Sequence, residues 1–363
     1  MKWFHSLDPS SLARVAAHRI CIVKPSAFGD IVQSLPVLSA LRARFPAARL
    51  SWVVKREWSD LLAGHPDLDE LITLDTRGSL LDWARTLTEL QARRFDLVFD
   101  LQGLLRSAIV TWATRAPVRV GLQTAREGAN CACNCVLPGT GRLVPAHERY
   151  RRVAEAVAAR PDAIQPHLAI AEESRQWATG QLDFLSGPRV AIHLGAAWET
   201  KRWPVARFAA VAAEAIAKHG AAIVLVGGRS DAAAAAECEM LLRQTGRTHQ
   251  LLNLVGQSDL KQLAALLAQM DVLVSNDSGP MHLAAALGTP VVGIFTCTDP
   301  RRSGPPGSQH ELVATQVACH ASYRKHCPHS GSGHHACLRE LEVQRVSDAL
   351  GRVLCRVLQE QSA

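Results

Sequence analysis

The sequence predicts an α/β protein made of two doubly wound parallel sheets, one in each half of the chain. Three observations carry this. The chain has 363 residues, more than the roughly 250–300 at which a single hydrophobic core stops growing. Short runs rich in Val, Ile and Leu alternate with longer helical patterns, as they do where buried parallel strands are joined by crossover helices. The alternation lapses once, around the polar, Pro-containing segment 160–165, and then restarts.

In order, the first half reads as strand 19–24 around Ile20-Cys21-Ile22-Val23, helix 30–44, strand 50–54 around Trp52-Val53-Val54, and helix 57–63. Strand 70–74, helix 80–92, strand 96–100 around Leu97-Val98-Phe99, and helix 103–114 follow. A loop-rich stretch covers 121–146, and a helix 147–159 closes the half. The second half reads as strand 189–193, helix 205–219 with Pro204 at its first turn, strand 222–226, helices 231–244 and 259–269, strand 272–275, helix 279–287 and strand 290–295. A terminal helix spans 342–358. The expected domains are 1–180 and 187–340, with 341–363 as a helix packing back toward the N-terminal domain. Two Rossmann-like domains facing across a cleft place function in the strand-to-helix turns, where open parallel sheets bind ligands.

Composition narrows the classes. With 48% hydrophobic and 20% charged residues the chain is a soluble globular protein, and no run approaches the ~20 apolar residues that span a bilayer. The polar N-terminus lacks the apolar stretch of a secretory signal, so a cytoplasmic location is expected. Ten cysteines are spread through strands (Cys21), helices (Cys238, Cys355) and loops, and reduced thiols are expected there. The net charge of +7 favours anionic partners. Nucleic acid is not expected among them: no recognition helix, zinc finger or interleaved aromatic platform is visible, and aromatics are 5% of residues. A dehydrogenase is disfavoured because the first strand-turn-helix has only Gly29 where Gly-x-Gly-x-x-Gly would be needed.

Four turns carry candidate chemistry. In Lys24-Pro25-Ser26-Ala27-Phe28-Gly29-Asp30, the carboxylate of Asp30 stands at a helix start. From spacing alone it reads first as a helix cap and second as a general base on an acceptor hydroxyl, with Gly29 permitting close backbone approach. In Ser275-Asn276-Asp277-Ser278-Gly279-Pro280-Met281-His282, polar groups crowd a helix entrance whose N–H groups and dipole suit a pyrophosphate. There Asp277 accepts ribose or sugar hydroxyls, Ser278 and Gly279 hold phosphate, and His282 lies one turn further. In His193-Leu194-Gly195-Ala196-Ala197-Trp198-Glu199-Thr200-Lys201, the ammonium of Lys201 is placed to neutralise charge on a leaving nucleotide, although a lysine in such a loop is more often only solvated. Gly227 and Gly228 form a further turn bordering the nucleotide base, or ordinary turn chemistry.

These turns, with Asp100-Leu101-Gln102-Gly103-Leu104-Leu105-Arg106-Ser107, resemble in sequence and order the bacterial ADP-heptose lipopolysaccharide heptosyltransferases, glycosyltransferase family 9, over nearly the whole chain. The resemblance implies the GT-B fold, with an acceptor-binding first domain and a nucleotide-sugar-binding second one. It implies inverting transfer without metal or cofactor, from an ADP-sugar donor to lipid A-linked Kdo, at the cytoplasmic face of the inner membrane and in peripheral contact with it. Asp30 is then the base and Lys201 acts on the donor phosphates. Gly195, Gly227, Asp277, Ser278, Gly279 and His282 surround the donor, and Ser26, Gly29, Gln102, Arg106 and Arg126 the acceptor. The segment Gly121-Leu122-Gln123-Thr124-Ala125-Arg126-Glu127 is most like heptosyltransferase I, which adds the first heptose. Another GT-B nucleotide-sugar transferase or epimerase is the competing reading.

Four features stand outside this pattern. The Asp67-Leu68-Asp69 pair precedes a strand, at the amino end, and is not expected to hold metal. The Cys319 to Cys337 segment collects three cysteines and five histidines, without a regular Cys-x2-Cys pair; incidental thiols are the leading reading and a structural metal site the second. Cys131, Cys133 and Cys135 alternate as if sharing one face of an extended segment. Trp3 and Phe4, with Arg14 and Arg19 behind them, read as a solvated extension or a membrane contact.

Overall fold

The computed structural model describes residues 7–75, 78–159, 168–246 and 250–362; Trp3, Phe4 and the segment 160–165 lie outside the described residues. The chain forms two compact units, Met1–Ala169 and Ile170–Ala363. The first contains β1 (Arg19–Val23), α1 (Phe28–Arg44), β2 (Arg49–Lys55), β3 (Glu70–Leu74), α2 (Leu80–Ala92), β4 (Leu97–Asp100), α3 (Leu105–Ala113), β5 (Val118–Leu122), β6 (Cys135–Leu137) and α4 (Ala146–Ala156). Its six strands pair in parallel in the order β3-β2-β1-β4-β5-β6. Ile20 to Val23 of β1 are all buried, as a strand must be when helices cover both faces of its sheet. One face packs Cys21, Val23, Val53, Ile72, Val98 and Val110 around Leu90 and Phe95.

The second unit contains α5 (Glu172–Leu182), β7 (Arg189–His193), α6 (Val205–His219), β8 (Ala222–Val226), α7 (Ala232–Gln244), β9 (Leu251–Asn253) and α8 (Leu260–Leu267). It continues with β10 (Val272–Asn276), α9 (Gly279–Ala286), β11 (Val291–Phe295), α10 (Pro300–Ser303), β12 (Glu311–Ala314), α11 (Ala336–Glu340) and α12 (Val343–Ser362). Its parallel order, β12-β11-β10-β7-β8-β9, repeats that of the first sheet. Each sheet reverses its winding once, between β1 and β4 and between β7 and β10. The carboxyl ends of such strand pairs diverge into the crevice where doubly wound sheets bind ligands.

Several elements depart from the sequence reading. Residues 57–63, expected to be helical, form a 3-10 turn over Arg56–Leu61. Strands β5, β6, β9 and β12 were not expected. β5 carries Arg119 within it, a buried guanidinium that donates to the carbonyl of Ala132 at 2.7 Å, while β6 and β9 have only three residues each. The cysteines 131, 133 and 135 do not share a face: Ala129–Ala132 is a 3-10 turn, leaving Cys131 exposed, Cys133 half-buried and Cys135 buried. Helix α5 was also unforeseen and packs on α8 of the second unit. The apolar stripe of α12, Val346, Ala349, Leu350, Val353 and Leu354, follows helical spacing and enters the core of the second unit beside Trp203, Phe208 and Ile216, where the sequence reading sends this helix toward the N-terminal domain.

Candidate active site

In the first unit the expected residues gather at the carboxyl ends of β1, β4 and β5. β1 ends at Val23, the chain turns through Lys24 to Ala27, and Asp30 falls in the first turn of α1. Its Oδ2 lies 3.5 Å from the amide of Ala27, at the limit of a hydrogen bond, and 3.6 Å from Nζ of Lys24. The lysine side chain is 4% exposed and the aspartate 43%, so a buried cation holds a carboxylate that opens to solvent. Burial pushes the Lys24 ammonium down, but Asp30, the hydroxyl of Tyr150 on α4 and Asp100 together outweigh it and raise its pKa. Lys24 therefore stays charged.

Asp100, at the end of β4, is buried and accepts from the amides of Gln102 and Gly103 at 3.0 and 2.9 Å and from the Ser107 hydroxyl at 2.9 Å. Burial raises its pKa in spite of these donors. The Gln102 side-chain oxygen accepts from the amide of Ser26 at 3.2 Å, tying the β4 turn to the β1 turn. Gly103 adopts φ +66°, and a Cβ there would come within 2.8 Å of the Ala125 backbone; only glycine allows the β4 turn to lie on the next one. There Arg126 donates its amide to the Gly103 carbonyl at 2.8 Å. The side chains of Arg106 and Arg126 are exposed. α3, which carries Arg106, also presents Leu105, Ile109 and Trp112 to solvent, 53%, 41% and 59% exposed, one stripe at helical spacing.

In the second unit the expected residues meet at the ends of β7, β8 and β10. Nζ of Lys201 lies 2.7 Å from Oδ2 of Asp277, with the two side chains 15% and 7% exposed, and 4.6 Å over the Trp198 ring. Asn276 braces this turn from β10: its side-chain nitrogen donates to the carbonyls of Leu194 and Gly195 at 2.8 and 3.3 Å, and its oxygen accepts from the amide of Trp203 at 3.1 Å. Trp203 is buried and donates its indole N–H to the Leu341 carbonyl at 2.9 Å, which fixes the far end of the turn in the core.

Beneath this turn runs a buried polar chain. Nδ1 of His193 lies 3.1 Å from the Ser278 hydroxyl and 3.3 Å from that of Ser275, and Nε2 lies 3.6 Å from Oδ2 of Asp231. The hydrogen bond from His193 is the main cause holding the Asp231 carboxyl below its ordinary value. A Cβ on Gly195 would run into that carboxylate, so the glycine lets β7's turn sit against Asp231. Because Ser278 points its hydroxyl into this chain, it makes no side-chain cap bond to α9. The first N–H groups of α9, broken by Pro280 at its second position, combine with the Lys201 ammonium into an anion-attracting corner. His282 is buried in the first turn of the same helix.

The structure thus brings every expected donor residue to one sheet end and every expected acceptor residue to another. Residues the sequence reading assigned no role are Lys24, Tyr150, His193, Asp231 and Asn276. A lysine ending an otherwise apolar strand is a signal for Lys24; Tyr150, distant in sequence, gives none. The Asp67-Asp69 carboxylates are engaged locally: Asp69 accepts from Arg42 at 2.6 Å and from the Leu50 amide at 2.7 Å, and Asp67 from the Ser39 hydroxyl at 3.1 Å.

Comparison with known proteins identifies the family. Residues 83–332 match the family profile described as glycosyltransferase family 9 (heptosyltransferase). The chain is 26% identical to lipopolysaccharide core heptosyltransferase OpsX of Haemophilus influenzae, covering 82% of this chain and 85% of that one. It is 28% identical to lipopolysaccharide heptosyltransferase 1 of Pseudomonas aeruginosa, covering 85% and 87%. Among solved structures, ADP-heptose lps heptosyltransferase II of Escherichia coli superposes with a TM-score of 0.76 at 26% identity, covering 94% and 99%. Proteins named heptosyltransferase 1 and heptosyltransferase II are therefore similar to it to a like degree. Among the described residues no helix is long and apolar enough to cross a membrane.

Proposed function

The chain belongs to glycosyltransferase family 9, the heptosyltransferase family, and we propose that it moves heptose from ADP-heptose to the Kdo or heptose of the lipopolysaccharide inner core by direct displacement with inversion. The observation that carries the donor half is the Lys201–Asp277 pair at the entrance of α9. A cation held beside a helix N-terminus is preorganised for the negative charge that grows on a departing diphosphate. Asp277, on the other side of the pair, accepts a hydroxyl of the ribose or sugar.

For the acceptor half, Asp30 is the base. The acceptor oxygen attacks the anomeric carbon, its proton passes to the Asp30 carboxylate, and the carbon–oxygen bond to the diphosphate breaks with its electron pair leaving on ADP. One displacement inverts the configuration. General-base assistance of this kind is worth about 10²–10⁴ in rate. Capping and catalysis do not compete here, since Asp30 meets the Ala27 amide only at 3.5 Å and keeps an exposed oxygen surface. Arg106 and Arg126, exposed beside this turn, suit the carboxylate and phosphates of an acidic acceptor. The apolar stripe of Leu105, Ile109 and Trp112 next to Arg106 suits peripheral contact with an anionic membrane surface.

The test is stereochemical. Product made with ADP-heptose should carry the anomeric configuration opposite to the donor's by NMR, and retained configuration would overturn single displacement. Initial rates should be the same with added Mg²⁺ and after brief EDTA treatment, and a rate that follows Mg²⁺ would assign the diphosphate's charge to a metal in place of Lys201 and α9.

A further inference from the structure

On the outer side of the donor turn, a second constellation is assembled from the C-terminal Cys/His segment. One ligand atom each of Cys327, His334 and His335 lies within 4.8 Å of the other two. The carboxylate of Glu199 approaches the same cluster, its Oε1 3.9 Å from Nε2 of His335. We infer that Cys327, His334 and His335, closed by Glu199, form a site for one transition-metal ion of the zinc class.

Geometry, chemistry and local construction support this. With metal–ligand bonds of about 2.0–2.3 Å, the ligand atoms of a tetrahedral ion stand roughly 3.3–3.8 Å apart; from separations within 4.8 Å the cluster needs a contraction of at most about 1–1.5 Å. One thiolate, two imidazoles and one carboxylate are a borderline-soft donor set that takes Zn²⁺ or Co²⁺ and not Mg²⁺ or Ca²⁺, and the two negative ligands neutralise a divalent ion. Nδ1 of His334 lies 3.0 Å from the His329 carbonyl, the outer-sphere contact that fixes a ligating imidazole and leaves Nε2 for the metal. Nε2 of His335 is buried with no hydrogen-bond partner among the described residues, an orphan nitrogen of the kind that calls for an explanation.

The backbone is arranged for the cluster as well. His335 adopts φ +50°, an uncommon left-handed conformation for a residue with a side chain. In this conformation its ring stacks on that of His334, centroids 4.0 Å apart, and its amide donates to Sγ of Cys327 at 3.3 Å. The Arg339 guanidinium holds the carbonyls of His334 and Ser332. His326, whose Nδ1 is 3.2 Å from Oε1 of Glu199, holds that carboxylate toward the site. Three further thiols, Cys297, Cys319 and Cys337, line a cavity of about 370 Å³ together with Cys327.

The ion would act on structure and not on the sugar. Glu199 opens the 3-10 turn that ends at Lys201, and Thr200 between them already donates to the Arg324 carbonyl at 2.7 Å. A metal bound to Glu199 would cross-link the C-terminal loop to the donor turn two residues from Lys201.

The experiment counts metal on the full chain, so its outcome is independent of heptosyl transfer. Protein loaded with Zn²⁺ and desalted should retain one zinc per chain by mass spectrometry. Cys327→Ser and His335→Ala should each weaken zinc binding by at least about 100-fold, the upper end of losses seen even for outer-sphere partners. Substitution of the exposed Cys131 or Cys355 by Ser should leave it unchanged. His334 is exposed, so His334→Gln tests the site without disturbing the core and should weaken binding at least about tenfold. Cobalt-loaded wild type should show a thiolate-to-metal charge-transfer band that Cys327→Ser lacks. Failure of the wild type to retain zinc would overturn the inference, as would undiminished binding in the Cys327→Ser/His335→Ala double variant, which would put the metal on Cys297, Cys319 and Cys337.

Discussion

Replacing Lys201 by Met tests the donor corner most sharply, because the thioether keeps the apolar stem over Trp198 and removes only the charge. At 2.7 Å the pair's gross attraction is about 6 kcal/mol at an effective dielectric constant of ~20. Desolvation of both groups offsets much of this. Removing one partner is costly for a different reason: Asp277, 7% exposed, is left as an uncompensated charge. Fully buried cases cost roughly 3–5 kcal/mol; the 15% exposure of Lys201 reduces the expectation to about 2–3 kcal/mol, a Tm lower by roughly 5–10 °C for a unit of this size. Asp277→Asn should cost a similar amount. The double variant should be less destabilised than the sum by about 2 kcal/mol, since neither charge then remains unpaired. ADP binding by calorimetry should weaken at least about tenfold in Lys201→Met. Additivity within ~0.5 kcal/mol, together with unchanged ADP affinity, would refute the reasoning.

Other predictions address the remaining parts. Asp30→Asn should lower kcat by about 10²–10⁴ while ADP-heptose affinity stays within twofold of wild type on the order-of-magnitude scale of such measurements; wild-type turnover in that variant would exclude Asp30 as base. Gly195→Ala should displace Asp231, loosen the His193–Asp231 contact and destabilise the second unit by roughly 1–3 kcal/mol, read by thermal melting; an unchanged Tm would show that the turn has room to yield. His310 is buried, accepts from the Val291 amide at 3.1 Å, and burial pushes its pKa down to about 4. Its folded value lies below its unfolded 6.5, so the unfolded chain binds more protons between these values. Its contribution is then full above pH ~6.5, falls as pH drops toward ~4 and changes no further below that. His310→Asn should flatten the pH dependence of stability in that window by about 2–3 kcal/mol, and an unaltered slope would contradict the assignment. Replacing Leu105, Ile109 and Trp112 together by Ser should reduce co-sedimentation with anionic vesicles, whereas equal sedimentation would remove α3 from the membrane reading.

Periodicity was sufficient for the central strands and long helices because their physics is local. β1, β8 and α6 follow directly from buried apolar runs and from a helix with Pro204 at its start and Gly220 at its end. It failed where packing around a side chain decides: β5 holds a charged Arg119 satisfied by the carbonyls of Ala116, just before the strand, and Ala132, beyond it, and β6 and β9 are too short to carry a period. The site shows the same division. Asp30, Lys201, Asp277 and the glycines sit in strand-to-helix turns, where position marks them as candidates. Asn276, His193 and Asp231 were not, since their role consists of hydrogen bonds between turns more than 30 residues apart, as in Asn276 to Leu194. The Cys/His segment around Cys327 and His335 is visible in the sequence, with a metal site as its second reading, but Glu199, which approaches it from a turn over 120 residues earlier, is not.

Transfer of heptose from ADP-heptose to the inner core is the reaction proposed for this chain. It is tested most directly by incubating the full chain with ADP-heptose and Kdo-lipid A and measuring the masses of acceptor and nucleotide. The acceptor should gain the mass of one heptosyl residue, with ADP released in equal amount and product formed about 10²–10⁴ times more slowly when Asp30→Asn replaces the wild type. Intact acceptor beside unconsumed ADP-heptose, or ADP released without any gain in acceptor mass, would contradict it.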